Sequence, residues 1–375
     1  MEAAFMEERM KEQTKERAKE RAIAKSGTRN SSLELLRILA MLMIIACHFG
    51  SRVNWASAGH MVFNEYWLEL LESLGQIGVG IFFLISGYFL YERKNFHWQR
   101  VFKIARPTWF YSWVILALAY LFHNPLVATT TPMSQVVAQS MFPIFLNSYW
   151  FISTYIYITL LSPYLKKWLD ALCFKEIVAV VLLSFLFNTG AATFDFFLTS
   201  EFASIGGVIS STIIFVVMGY SLNRFKDKFS SPVIPLACIL IAAIILLAGP
   251  AVLAALARAG YQNTSAHVFM DISSVPIALA AVGLFLVFSR FDFRSKGINY
   301  LASLMFGVYL IHENNFVWRF IWQGDLFHVA THLTDSKLHF VLYSFKMILV
   351  VFVCCAVIEA VRKFVVAAIM KVWKG

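Results

Sequence analysis

The sequence predicts an all-α, polytopic membrane protein: a bundle of about ten transmembrane helices with both termini cytoplasmic. Three observations predict it. The 375 residues are 59% hydrophobic and only 14% charged, with a mean hydropathy of +0.68, whereas a soluble domain keeps about a quarter of its residues charged. Apolar runs close to the roughly 20 residues that cross a hydrocarbon layer recur along the chain. Basic residues collect in every second connection between those runs, the bias that sets membrane orientation.

Taken in order, residues 1–31 carry eight Lys or Arg and six Glu, and read as a solvated, helix-prone cytoplasmic extension. The first apolar run lies too far from the start for a signal peptide, although Ala56-Ser57-Ala58 resembles a cleavage site. It is read as a retained membrane helix. Runs begin near residues 33, 75, 105, 147, 176, 204, 233, 271, 298 and 339; the fifth is the least regular, because Asn188 and Gly190 come early. With the amino terminus inside, segments 1–31, 91–106, 166–176, 223–232, 289–297 and 362–375 are cytoplasmic and hold 26 of the 32 Lys and Arg. The outside connections hold only Arg52, Arg258, Arg319 and Lys337, and segment 123–146 has no Asp, Glu, Lys or Arg. The transmembrane domain is placed at 32–365, followed by a short basic tail at 366–375.

The net charge of +10 is therefore a topology signal, and no nucleic-acid partner is expected. Four of the five cysteines lie in apolar runs and Cys173 in a basic loop, which suits small buried or lipid-facing thiols. No CxxC or HExxH spacing appears, and no metal is expected.

Ionisable residues inside a membrane helix are costly and point to function. The first run carries Arg37 and His48, eleven residues apart. At 100° per residue they fall within about 20° of one face, and about 16 Å apart along the axis. Glu34 lies three residues before Arg37 and can pair with it; snorkelling interfacial charges are the plain alternative for both. His312, in the ninth run, is expected at the depth of His48, with Glu313-Asn314-Asn315 near the outer surface. Two His at one depth can hold a metal, but no third ligand is indicated. Arg100, Lys103 and Arg106 share a helix face at the inner end of the third run. They read either as positive-inside charges or as a phosphate-binding patch. Gln76, Ser86-Gly87-Tyr88 and Asn147-Ser148-Tyr149-Trp150 read first as helix-packing and interfacial residues.

Together these residues resemble the acyltransferase-3 family of bacterial membrane acyltransferases. The resemblance is carried by Leu33-Glu34-Leu35-Leu36-Arg37 with His48, by Gly78 to Tyr88, by Tyr149-Trp150-Phe151-Ile152, by Leu161-Ser162-Pro163-Tyr164 and by Gly307 to His312. Where the family has Arg-x-x-Arg, this chain has Lys103 and Arg106; lysine keeps the charge but loses the bidentate fork. The chain is similar to the stand-alone members, without a fused extracytoplasmic domain. The resemblance implies transfer of an acyl group, most often acetyl, from cytoplasmic acyl-CoA to a hydroxyl of a cell-surface glycan. Arg37, Arg106 and Lys103 would then hold CoA phosphates. His48 would act as general base, or alternatively as acyl carrier. His312 or Glu313 would orient His48 or the sugar, Glu34 would position Arg37, and Tyr149 and Trp150 would stack on the acceptor. Beside the glycan acceptor and membrane lipid, a homodimer or a separate extracytoplasmic partner protein stays open. The rival readings are a glycan or lipid transporter, a scaffolding subunit, and an acyltransferase using succinyl-CoA or a lipid or small-molecule acceptor.

Overall fold

A computed structural model of the protein describes residues 30–53, 62–93, 95–122, 132–198, 208–259, 267–323, 327 and 329–373. The charged extension up to residue 29 and Ala56-Ser57-Ala58 lie outside the described residues. Among the described residues the regular structure is helical, with no strand.

The first helix, α1, runs Ser31–Arg52. Asn30 caps it by accepting from the Ser32 amide at 2.8 Å, and Glu34 sits in its first turn, where a carboxylate complements the helix dipole. Ser31 and Ser32 also tie this end to a distant connection: the Ser31 amide donates to the Phe293 carbonyl at 3.0 Å and the Ser32 hydroxyl to that of Phe288 at 2.6 Å. The position of Glu34 and Arg37 is thus fixed from both ends of the fold.

Helix α2 spans Val62–Tyr91, starting well before the apolar run at 75. Its first turns carry Asn64, Glu65, Glu69 and Glu72, which hydropathy discounts but which do not oppose a helix. Then follow α3 (Gln99–Leu121), α4 (Met133–Met141), α5 (Trp150–Ala171), α6 (Phe174–Leu198), α7 (Val208–Arg224) and α8 (Val233–Arg258). Next come the single turn α9 (His267–Met270), α10 (Val275–Ser289), α11 (Lys296–Ala302), α12 (Met305–His312), α13 (Asn315–Trp322) and α14 (Lys337–Val372). Three helices, Ser31–Arg52, Phe63–Tyr91 and Lys337–Val372, are long and apolar enough to cross a membrane, and shorter apolar helices run Val208–Arg224, Val233–Gly249 and Val275–Ser289. On α14 the residues Leu342, Phe345, Leu349, Val353 and Val357 are exposed. A contiguous apolar stripe of this kind requires lipid as its solvent, and the protein is a membrane protein.

Helices α1, α2 and α7 form the centre. Their approach is close because glycines face backbone: a Cβ on Gly78 would meet the Ala40 carbonyl at 2.5 Å, one on Gly87 would overlap the Val216 carbonyl and one on Gly219 that of Leu84. In lipid, such small-residue contacts supply the dispersion that holds helices together. Gly219→Ala is therefore expected to push α2 and α7 apart and to destabilise the fold by about 1–3 kcal/mol. A thermal melt of the detergent-purified variant checks this; an unchanged midpoint would contradict it.

One predicted element breaks up. The ninth apolar run is three short helices, α11, α12 and α13, not one. Asn314 is the reason for the second break. Its backbone turns to φ −60° and ψ 134°, and its side-chain oxygen caps α13 by accepting from the Phe316 amide at 3.0 Å. An asparagine offers the backbone this alternative to continuing the helix.

Candidate active site

The break at Asn314 carries Glu313 inward. The sequence places Glu313 and Asn314 near the outer surface, but both are buried. A buried carboxylate requires partners, and Glu313 has two, both on α1. Arg52 Nη2 lies 2.6 Å from Oε1, and His48 Nε2 lies 3.1 Å from Oε2. The second contact is within ion-pair reach but is not aligned as a hydrogen bond. His48 and Arg52 are four residues apart and so share a helix face. Arg52 is held in turn by the Trp318 ring, 4.7 Å from its guanidinium carbon, and by Gln323, which donates to its carbonyl at 3.3 Å.

His312 packs against His48 with ring centroids 5.1 Å apart, so the two imidazoles lie together. Its Nδ1 is 2.6 Å from the Val308 carbonyl. A carbonyl only accepts, so Nδ1 carries the proton and Nε2 of the neutral ring keeps its lone pair. Among the described residues that buried Nε2 has no hydrogen-bond partner, and neither has the buried His48 Nδ1. An unmet buried polar atom costs about 1–3 kcal/mol. Two of them sit on adjacent rings, each able to hydrogen-bond a ligand or a water.

His48, His312 and Glu313 offer three donor atoms within 4.8 Å of one another, so the structure supplies the third ligand that the sequence lacked. Arg52 holds the other oxygen of that carboxylate, Oε1, and its positive charge opposes a cation there.

The surrounding shell fixes these groups. Asn314 Nδ2 donates to the Tyr149 hydroxyl at 2.7 Å, and the Tyr309 ring packs on both Tyr149 and His312. The turn before Tyr149 is set by Asn147, whose φ of 54° lies in the left-handed region that asparagine tolerates. A cavity of about 40 Å³ touches Tyr149, Asn314, Asn315 and Arg319. Trp150 turns the other way, into a separate cavity of about 600 Å³ with Asn147, Tyr157 and Ile209. The structure therefore parts Tyr149 from Trp150.

Helix α12 is also anchored below His312. The buried Glu359 of α14 takes a bidentate grip from Arg362, 2.7 Å at each oxygen, and accepts from the Tyr111 hydroxyl at 2.5 Å. Gly307 lies against this carboxylate, and a Cβ there would overlap it. The absence of a side chain lets α12 seat on the ion pair and holds His312 in place.

At the other end of α1, Arg37 Nη1 pairs with Glu34 Oε1 at 2.6 Å, as the spacing predicts. Both line a cavity of about 510 Å³ with Tyr88, Glu92 and Arg93. Arg93 also lines a neighbouring cavity of about 270 Å³ with Arg100, Lys166 and Lys167. Lys103 and Arg106 are exposed, and neither lines these two cavities; Arg106 lies over the Phe102 ring at 6.0 Å. Arg52, Arg93, Asn314 and Glu359 are the residues that sequence reasoning missed. The spacings of Arg52 from His48 and of Glu359 from Arg362 were usable signals; nothing local singles out Arg93 or Asn314.

Fold and site together define a membrane protein whose apolar bundle buries two imidazoles beside a Glu–Arg ion pair. A model of the acyltransferase-3 family, described as an acyltransferase domain, matches residues 30–360. The chain belongs to this family and is a membrane acyltransferase. No curated protein and no solved structure matches it.

Proposed function

We propose that the protein moves an acyl group, acetyl in the first instance, from cytoplasmic acyl-CoA to a hydroxyl of a cell-surface polysaccharide in the bacterial plasma membrane. In this reading the chain makes ten spans with both ends inside, Arg37 faces the cytoplasm and His48 lies in the outer half. The observation that carries it is the pair of unpartnered imidazole nitrogens beside the Glu313–Arg52 ion pair.

His48 Nδ1 takes the proton of the acceptor hydroxyl as its oxygen attacks the thioester carbonyl. Nε2 lies 3.1 Å from Glu313 Oε2, close enough for the carboxylate charge to steady the imidazolium. The C–S bond breaks, the acyl group stays on the acceptor oxygen, and the leaving thiolate takes the proton from His48. His312 Nε2 accepts from the acceptor or orients it. Glu34 positions Arg37, and Tyr149 supports the acceptor side, with Trp150 on a more distant stretch of glycan. CoA phosphates are held at the basic mouth by Arg37, and Arg93 and Arg100 suit that role better than the exposed Lys103 and Arg106. The axial distance of about 16 Å from Arg37 to His48 is of the order of a pantetheine arm.

Arg93→Ala is expected to raise the KM for acyl-CoA about 10- to 100-fold, the loss of one charge-assisted contact, while kcat stays within a few-fold. Steady-state kinetics over a range of acyl-CoA checks it; an unchanged KM would remove Arg93 from the donor site. The route itself is tested by acid-quenching the wild type with labelled acetyl-CoA. Direct transfer leaves no label on the protein, whereas label trapped on His48 would make that ring an acyl carrier instead.

A further inference from the structure

The geometry points to a second site, a zinc-type divalent metal site made by His332, Asp335 and His339 in the connection leading into α14. Nothing in the acyl-transfer reading uses these residues. His332 Nδ1 and His339 Nδ1 each lie 2.7 Å from the same oxygen, Asp335 Oδ2. Their donor atoms gather within 4.8 Å of one another. Two imidazoles and one carboxylate are a ligand set that zinc takes readily, with a fourth position left for water.

The cluster sits on a prepared frame. The His332 ring stacks on Tyr343, with centroids 3.9 Å apart and planes 25° from parallel, and the Tyr343 hydroxyl donates to the Phe327 carbonyl at 3.0 Å. Asn64, fully buried on α2, donates from one amide nitrogen to the carbonyls of Leu333 at 2.7 Å and Asp335 at 3.0 Å. The backbone is therefore pinned on both sides of Thr334, and one ring is fixed by stacking. His339 is the adjustable member: its side chain is 62% exposed in the first turn of α14, which also leaves the site open to solvent.

Tetrahedral ligands about 2.0–2.1 Å from zinc lie about 3.3 Å apart, so each nitrogen must draw back from the carboxylate by roughly 0.6 Å. Rotation of the exposed His339 and a small shift of Asp335 supply that. The proton now on each Nδ1 moves to Nε2 of the neutral ring, which frees the Nδ1 lone pairs for the metal. Bound metal would clamp the 3-10 turn Val329–Thr334 to the start of α14. His48, His312 and Glu313 are the competing donor set, but there the Arg52 guanidinium, 2.6 Å from the other carboxylate oxygen, opposes a cation.

The test is zinc titration of the detergent-purified full chain by calorimetry and by thermal melting, beside His339→Ala and Asp335→Asn. The expected result is one zinc per chain in the wild type and binding at least about tenfold weaker in each variant. Zinc should raise the melting midpoint of the wild type alone, each protein being compared with its own zinc-free midpoint. Cobalt in place of zinc should give the visible bands of a tetrahedral centre only in the wild type. No binding to the wild type at micromolar zinc would overturn the assignment. So would equal affinity in all three proteins, which would place the metal elsewhere.

Discussion

His48→Ala is expected to lower kcat for acyl transfer about 10²- to 10⁴-fold, the contribution of a positioned general base, while acyl-CoA binding persists. His48 is mostly buried against His312 and Glu313, so its removal also leaves a small cavity, and stability must be read alongside activity. His48→Gln keeps the volume better and should lose as much activity with a smaller change in melting temperature. The check is kcat at saturating acyl-CoA, with the CoA dissociation constant measured on the same preparations. Wild-type kcat in either variant would remove His48 from the chemistry and direct attention to His312.

Glu313→Gln should produce a loss of similar size, about 10²- to 10⁴-fold in kcat, for a different reason. The amide keeps the shape but lacks the charge that steadies an imidazolium at His48. It also leaves Arg52 beside a neutral group, and a mostly desolvated cation without its carboxylate lowers stability by up to about 3–5 kcal/mol. Arg52 keeps a partly exposed side chain, 32%, and contact with Trp318, so the loss should fall below that limit. A double variant, Arg52→Met with Glu313→Gln, separates the two effects. It should recover melting temperature relative to Glu313→Gln but not kcat. Recovery of kcat as well would make Glu313 a structural partner of Arg52 and nothing more.

The helical membrane class, the pairing of Glu34 with Arg37 and the common depth of His48 and His312 could all be read from residue spacing. The first rests on composition and apolar run length, the second on helix spacing and the third on the order of the runs, all of them readable along the chain. The partners of Glu313 were not legible, because they depend on a helix break at Asn314 that aims the carboxylate back at α1. The early start of α2 at Val62 was hidden because hydropathy is blind to a helix that starts on Asn and Glu. Among the basic residues, charge bias marks which end they occupy but not which way they point. Arg93 and Arg100 line cavities, while Lys103 and Arg106, on the same helix face as Arg100 by spacing, are exposed. Glu359 has Arg362 three residues on, a spacing as legible as that of Glu34 and Arg37, but its contacts with Tyr111 and Gly307 depend on the tertiary fold.

The most direct test of acyl transfer from CoA to a glycan hydroxyl is a balance of both products on the purified wild type. Labelled acetyl-CoA and cell-surface polysaccharide are supplied, and free CoA thiol and ester-linked label on the polysaccharide are counted together. The predicted result is one ester formed for each thiol released, with both lost in His48→Ala. Intact acetyl-CoA and unlabelled polysaccharide, from protein that demonstrably binds CoA, would contradict it.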